Sequence, residues 1–77
     1  MQLVIKTLTG RRQSFNFEED NTILQVKQAL QEKEGISIEQ IRLIHGGKQL
    51  ADDLRITDYS LKAGDTIHMV LQLRGGL

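Results

Sequence analysis

The side chains that most often carry out chemistry are few in this sequence, and they are not grouped. His45 and His68 have no cysteine and no further histidine at a spacing suited to metal binding. The acidic residues at 18–20 are typical of a solvated loop. No nucleophile elbow, phosphate-binding loop or paired Ser/His arrangement occurs. The sequence therefore predicts no catalytic residue, no metal site and no cofactor, and we do not expect an enzyme.

The residues at 73–77, which read LRGGL, offer a different kind of chemistry. Gly75 and Gly76 carry no side chain, and the stretch 72–77 spans about 20 Å when it is extended. A lead of this kind is thin enough to enter a narrow tunnel in an enzyme. The ordinary interpretation is a frayed terminus, which two glycines also favour.

Alternation of polarity indicates the strands that must position these groups. Five segments alternate in the manner of β-strands with one buried face: 1–7, 12–17, 41–45, 48–50 and 66–72. A turn at 8–10 joins the first two strands into a hairpin, and Gly46 and Gly47 are typical of a second hairpin turn. A single helical turn is expected near 57–60.

The segment at 22–34 has the period of a helix instead. Ile23, Val26 and Leu30 fall on one helical face, and Thr22 begins a T-x-x-Q capping box. The order β-β-α-β-β-β predicts an α+β fold, a mixed sheet with one helix packed on one face.

A single helix covers one face of a sheet, so the other face should stay open. Strand alternation turns Ile44, His68 and Val70 toward that uncovered face. Two of these residues are apolar, and Leu8 lies in the exposed turn at 8–10. Scattered apolar residues on a surface are ordinary. The alternative is one contiguous docking patch of all four, and the residues by themselves leave both interpretations open.

Size and charge limit the class of function. Seventy-seven residues correspond to one domain, and ten basic residues cancel ten acidic ones. This balance gives no long-range attraction to nucleic acid or to an anionic membrane. The sequence has no cysteine and no apolar run long enough to span a membrane. We therefore expect a soluble intracellular monomer that binds neither nucleic acid nor membrane.

Six short motifs stand in the order and spacing of a known family. They are KTLTG at 6–10, KEGI at 33–36, RLI at 42–44, GKQL at 47–50, DY at 58–59 and LRGG at 73–76. Through Gly76 the chain resembles ubiquitin without a gap. It is identified as a divergent or engineered member of the ubiquitin-like modifier family, close to ubiquitin and the neddylation modifier. The resemblance implies the β-grasp fold and a place in the cytoplasm and nucleus.

The resemblance also implies a chemical role for Gly76 and its neighbour Gly75. In this family the glycine carboxylate is adenylated with ATP by an activating enzyme and passes as a thioester to a conjugating enzyme. With a ligase it ends as an isopeptide on a lysine of a target protein. Because Leu77 follows Gly76 here, the resemblance implies a processing protease that removes Leu77. A cloning remnant and a fusion junction are the alternatives for Leu77.

Further site residues are implied by matching positions. The main docking patch, read by ubiquitin-binding domains, corresponds to Leu8, Ile44, His68 and Val70. A second apolar patch corresponds to Ile36, Leu71 and Leu73. Candidate acceptors for chains of modifiers are Lys6, Lys27, Lys33 and Lys48. Selection by the activating enzyme is expected to involve Gln72, Arg42 and Arg74. Gln72 is neither the arginine of ubiquitin nor the alanine of the neddylation modifier.

The expected organisation is a ubiquitin-like domain at 1–72 and a flexible C-terminal tail at 73–77. Two alternatives to a conjugated modifier stay open. One is a ubiquitin-like binding domain that is never conjugated, and the other is a redesigned ubiquitin variant used as a model for folding and stability. The LRGG motif favours the modifier, because a pure docking domain has no need of a threadable tail.

Overall fold

The fold was analysed in a computed structural model that describes residues 1–7 and 9–72. The elements in chain order are β1 (Gln2–Lys6), β2 (Arg12–Asn16), α1 (Ile23–Glu34), β3 (Ile41–His45), β4 (Lys48–Gln49) and β5 (Thr66–Leu71). Short 3₁₀ turns occupy Ile38–Gln40 and Ile56–Tyr59. The strands form one sheet in the order β2-β1-β5-β3-β4, with β1 and β5 parallel and the other neighbours antiparallel. The predicted α+β arrangement is confirmed.

The hairpin of β1 and β2 continues beyond its assigned ends. The ammonium group of Met1 donates a hydrogen bond to the Phe17 carbonyl at 2.6 Å, and the Phe17 N–H donates to the Met1 carbonyl at 2.8 Å. Residues 1 and 17 therefore pair although neither lies within a strand. This explains why the alternating pattern in the sequence is longer than the strands themselves.

Helix α1 begins and ends where its sequence signals predict. The Gln25 N–H donates to the Thr22 hydroxyl at 3.2 Å, and the Thr22 N–H donates to the Gln25 side-chain oxygen at 2.8 Å. These two bonds are the reciprocal pair of a capping box. At the other end Gly35 adopts a φ of 71°, and its N–H donates to the Gln31 carbonyl at 2.8 Å. The left-handed conformation favours glycine here.

The core lies between α1 and one face of the sheet. Thirteen hydrophobic side chains are buried in it: Leu3, Ile5, Phe17, Ile23, Val26, Leu30, Ile41, Leu43, Leu50, Ile56, Leu61, Ile67 and Met69. The inward residues predicted for the strands and for the helix are among them, except that Met1 and Phe15 are only half-buried and pack against the cluster. Gln13, expected at the edge of the core, is half-buried.

The long segment between β4 and β5 contributes more to the core than its loop-like sequence suggests. Leu50, Ile56 and Leu61 are buried there. The helical turn predicted at 57–60 occupies Ile56–Tyr59, because the N–H of Ser60 closes it on the Thr57 and Ile56 carbonyls. Short irregular segments carry no period, so sequence patterning does not show which of their apolar residues turn inward.

Candidate functional site

The face of the sheet that α1 leaves uncovered, called the open face here, holds most of the described candidate residues. Ile44 of β3 lies opposite His68 of β5, and His68 lies opposite Lys6 of β1. Arg42 lies opposite Val70 in the same β3–β5 pair. Residues directly opposite each other share a face, with Cβ atoms about 4.5–5.5 Å apart in antiparallel pairs. Ile44, His68 and Val70 are therefore near neighbours on one surface.

Burial separates the open face from the covered one. Ile44 and Val70 are half-buried and His68 is exposed. Their sequence neighbours Ile67 and Met69 are 0% and 2% exposed. Three of the four residues predicted as a docking patch thus lie together on the uncovered face, as strand alternation indicated. The fourth, Leu8, lies outside the described residues, and the role of the patch in binding stays a prediction.

Positive charge surrounds this apolar group. Lys6 lies beside His68, Arg12 lies opposite Lys6 across the hairpin, and Arg42 lies opposite Val70. The five strand sequences contain no aspartate or glutamate. The open face therefore presents apolar side chains with a cationic rim, which suits a partner with apolar and acidic groups.

Sequence reasoning did not assign Arg12 to this rim. Lys6 and Arg42 were predicted to act, but as a chain acceptor and as a residue that activating enzymes contact. The hairpin register Lys6↔Arg12 is what brings Arg12 to the same face. Counting outward from the turn could have found it, because residues opposite each other in a hairpin share a face.

The predicted second patch lies on another side of the molecule. Ile36 is half-buried and borders a cavity of about 120 Å³ with Thr7, Thr9, Glu34 and Met69. Leu71, which is half-buried, follows Met69 by two residues, so strand alternation puts both on the same face of β5. Leu73 lies outside the described residues.

Gln72, the predicted selection residue, is exposed at the end of β5. Its backbone N–H donates to the Gln40 carbonyl at 2.7 Å, which continues the β3–β5 register by one residue. Alternation from Val70 puts the Gln72 side chain on the open face, on the same side as Arg42. Arg74, the third selection residue, lies outside the described residues, as do Gly75, Gly76 and Leu77.

The four candidate acceptor lysines differ in exposure. Lys33 and Lys48 are exposed, and Lys6 is half-buried on the open face. The side chain of Lys27 is only 4% exposed, and its Nζ donates to Asp52 Oδ1 at 2.5 Å. An acceptor amine must reach a thioester carbon, so Lys27 would first have to leave this ion pair.

Two structural searches bear on the chemistry open to this protein. Within residues 1–7 and 9–72, no cluster of three or more His, Cys, Asp or Glu side chains is arranged to hold a metal ion. Over the same residues no helix is long and apolar enough to cross a membrane. His45 instead lies 3.7 Å from Asp65, measured from Nε2 to Oδ2.

Comparison with known proteins identifies the family. The model of the family described as "Ubiquitin family" matches residues 3–74. The chain belongs to the ubiquitin family. It is 44% identical over 77 residues to "Ubiquitin-like protein NEDD8" of Dictyostelium discoideum, covering all of both chains. It is 46% identical over 76 residues to "NEDD8-like protein RUB1" of Saccharomyces cerevisiae, covering 99% of each. "Ubiquitin-like protein 1" of Schizosaccharomyces pombe is 42% identical, with 99% of this chain and 97% of that protein covered.

Membership of the ubiquitin family confirms the resemblance that the six motifs indicated. It agrees with the five-stranded mixed sheet and single helix of a β-grasp fold. The relatives that match over their full length are ubiquitin-like modifiers of the NEDD8 and RUB kind, so the broad prediction of a ubiquitin-like modifier is also confirmed.

Proposed function

We propose that this member of the ubiquitin family is conjugated through the Gly76 carboxylate to lysines of target proteins and is read by partner domains through its open face. The observation that carries the proposal is the combination of two features in one chain. The open face groups Ile44, His68 and Val70 within a cationic rim. The same chain carries LRGG at 73–76, in the order found in a family of modifiers.

The first step of the proposed sequence frees Gly76. A processing protease hydrolyses the peptide bond between Gly76 and Leu77, so that water supplies the hydroxyl of the new Gly76 carboxylate and the proton of the Leu77 amine. The carboxylate then attacks the α-phosphorus of ATP and forms the acyl adenylate while pyrophosphate leaves. Two adjacent glycines favour entry of this segment into a confined site because they present backbone alone.

The remaining steps transfer the Gly76 acyl group. A cysteine thiolate of the activating enzyme displaces AMP and forms a thioester, which exchanges onto a cysteine of a conjugating enzyme. With a ligase, the uncharged amine of a target lysine then attacks the thioester and releases the thiol, which leaves an isopeptide bond. In this sequence the protein is the group that enzymes transfer rather than an enzyme.

The organisation of the chain fits a division of labour. Residues 1–72 are proposed to form the domain that partners recognise, and residues 73–77 to form the segment that enters the enzymes. The partners are activating, conjugating and ligase enzymes, a processing protease, domains that bind ubiquitin-like proteins, and target lysines. We expect the protein to act as a monomer in the cytoplasm and nucleus.

Gln72 is proposed to set the choice of activating enzyme. It is exposed at the point where the domain meets the C-terminal segment, and it shares the open face with Arg42. An enzyme site built to pair an arginine at this position with acidic groups leaves those groups unpaired against a neutral glutamine. A loss of this kind costs on the order of 1–3 kcal/mol. The ubiquitin-activating enzyme should therefore charge this protein poorly.

A thioester assay on four chains tests both parts of the proposal. Two chains end at Leu77 and two at Gly76, and each pair carries either Gln72 or Gln72→Arg. Each is incubated with ATP and either the ubiquitin-activating or the NEDD8-activating enzyme, and the thioester is followed on non-reducing gels. We expect charging only of chains that end at Gly76, and stronger charging by the ubiquitin-activating enzyme after Gln72→Arg.

The controls assign each failure to one part of the proposal. Charging of a chain that ends at Leu77, without prior cleavage, contradicts the need for processing. Equal charging of Gln72 and Gln72→Arg contradicts selection by Gln72 but leaves conjugation intact. If neither enzyme charges any of the four chains, the conjugation proposal is wrong and the unconjugated binding domain is favoured. A reducing-gel control confirms that each band is a thioester.

A further inference from the structure

A second surface of the molecule lies where the start of α1 meets the segment before the second 3₁₀ turn. The Ile23 N–H donates to the Leu54 carbonyl at 2.8 Å, and the Leu24 N–H donates to the Asp52 carbonyl at 3.1 Å. Further along, the Thr57 N–H donates to the Glu19 carbonyl at 2.9 Å. Residues 19–24 and 52–57 therefore run side by side and form one continuous surface.

Two leucines project from this surface into solvent. Leu24 is 37% exposed and Leu54 is 39% exposed, and these are the exposed large hydrophobic side chains among residues 1–7 and 9–72. Their backbones are adjacent, since residue 23 bonds to residue 54 and residue 24 bonds to residue 52. One exposed leucine is ordinary, but two at one spot supply a small apolar centre.

Acidic residues surround this centre. Six of the ten Asp and Glu residues of the chain lie at 18–20 and 52–58, together with a single arginine, Arg55. Glu19, Asp20, Asp53 and Asp58 are all exposed. The net charge of zero therefore hides an uneven distribution, because the cations of the sheet lie on the open face. We call the group Glu19, Asp20, Leu24, Asp53, Leu54 and Asp58 the acidic surface.

We propose that the acidic surface binds a basic amphipathic helix of a partner protein, independently of the open face. The charge of the rim requires Lys or Arg in the partner, and the two leucines require apolar side chains on the same side of it. The opposite charge of the two surfaces would direct basic partners to one and acidic partners to the other. Both surfaces could then be occupied at once.

The backbone around the acidic surface favours a helix over an extended peptide as the occupant. Peptides that bind as strands need a sheet edge with unpaired N–H and C=O groups. Here the N–H groups of Ile23, Leu24, Ile56 and Thr57 already donate within the ladder. Recognition must therefore come from side chains, which an amphipathic helix presents along one face.

Two designed peptides form the test. Both are 18-residue helices with the same leucine positions, and one carries lysine where the other carries glutamate. Each is titrated into ¹⁵N-labelled protein, and amide chemical shifts are followed by NMR at low salt and at physiological salt. We expect the lysine peptide to shift the amides of Leu24, Asp53 and Leu54, and the glutamate peptide to shift those of Ile44, His68 and Val70.

Matched variants make the assignment specific. Leu24→Ser together with Leu54→Ser should weaken binding of the lysine peptide roughly tenfold, as truncation of central apolar contacts commonly does. It should leave binding of the glutamate peptide unchanged. Ile44→Ser should do the reverse. Asp53→Lys serves as a second variant if the double variant does not fold, and it should also weaken binding of the lysine peptide.

Three outcomes overturn the proposal. In the first, both peptides shift the same residues of the open face. In the second, the lysine peptide binds the acidic surface with equal affinity after loss of both leucines, so that charge alone holds it. In the third, the amides of the acidic surface shift on concentrating the protein without peptide, which assigns this surface to a second copy of the chain.

Discussion

The covered and open faces of β5 are built from alternate residues of one strand. Ile67 and Met69 point toward α1 and are 0% and 2% exposed, whereas His68 is exposed and Val70 is half-buried. Removal of a buried side chain leaves a cavity, but removal of an outward one leaves solvent. The comparison teaches that stability and recognition depend on interleaved residues, so each can be changed with little effect on the other.

Leu30→Ala should have the largest effect and should be confined to the covered side. Leu30 is fully buried between α1 and the sheet, so truncation leaves a cavity and should cost about 2–5 kcal/mol of unfolding free energy. Urea titration followed by circular dichroism measures this loss. In the folded fraction the amide shifts of Ile44 and Val70 should stay close to those of the parent. A near-neutral result would mean that α1 buries another face.

The Lys27–Asp52 ion pair sharpens the comparison because its two partners differ in exposure. The side chain of Lys27 is 4% exposed and that of Asp52 is 50% exposed. Asp52→Ala leaves a buried ammonium group without its acceptor, which should cost about 1–3 kcal/mol. Lys27→Met keeps the apolar stem and leaves a carboxylate that water can reach, so it should cost less. Equal losses from the two variants in urea titration would contradict this asymmetry.

Thr22→Ala should have the smallest effect of the three. The Thr22 hydroxyl accepts a hydrogen bond from the Gln25 N–H at the start of α1. Loss of such a cap typically costs about 1 kcal/mol. Thr22→Ser, which keeps the hydroxyl, is the matched control and should retain most of the stability. A Thr22→Ser variant as unstable as Thr22→Ala would show that the methyl group rather than the cap matters.

The strands and the helix could be predicted from the sequence because each has a clear period or cap. Alternation placed Ile67 and Met69 inward, and the T-x-x-Q box placed the start of α1. The segment at 50–61 could not be predicted in the same way. Its buried residues, Leu50, Ile56 and Leu61, have no regular spacing, and only the tertiary contacts decide which of them turn inward.

Prediction of the candidate site was limited by register. Alternation indicates which face a residue is on, so Ile44, His68 and Val70 could be grouped from the sequence. The rim around them depends on which residues lie opposite each other, and that information resides in strand pairing. The ion pair of Lys27 was not predicted either, because its partner Asp52 is twenty-five residues away in the chain.

Leu43 and Ile44 provide the most direct test, since they are consecutive in β3 and point to opposite faces. Leu43 is fully buried and Ile44 is half-buried. For Leu43→Ala and Ile44→Ala we would measure the unfolding free energy in urea and the affinity for a purified ubiquitin-binding domain. We expect Leu43→Ala to lose about 2–5 kcal/mol of stability and to keep its affinity when folded. Ile44→Ala should lose under about 1 kcal/mol of stability and at least fivefold in affinity. Equal losses of stability, or unchanged affinity after Ile44→Ala, would contradict the division between the two faces.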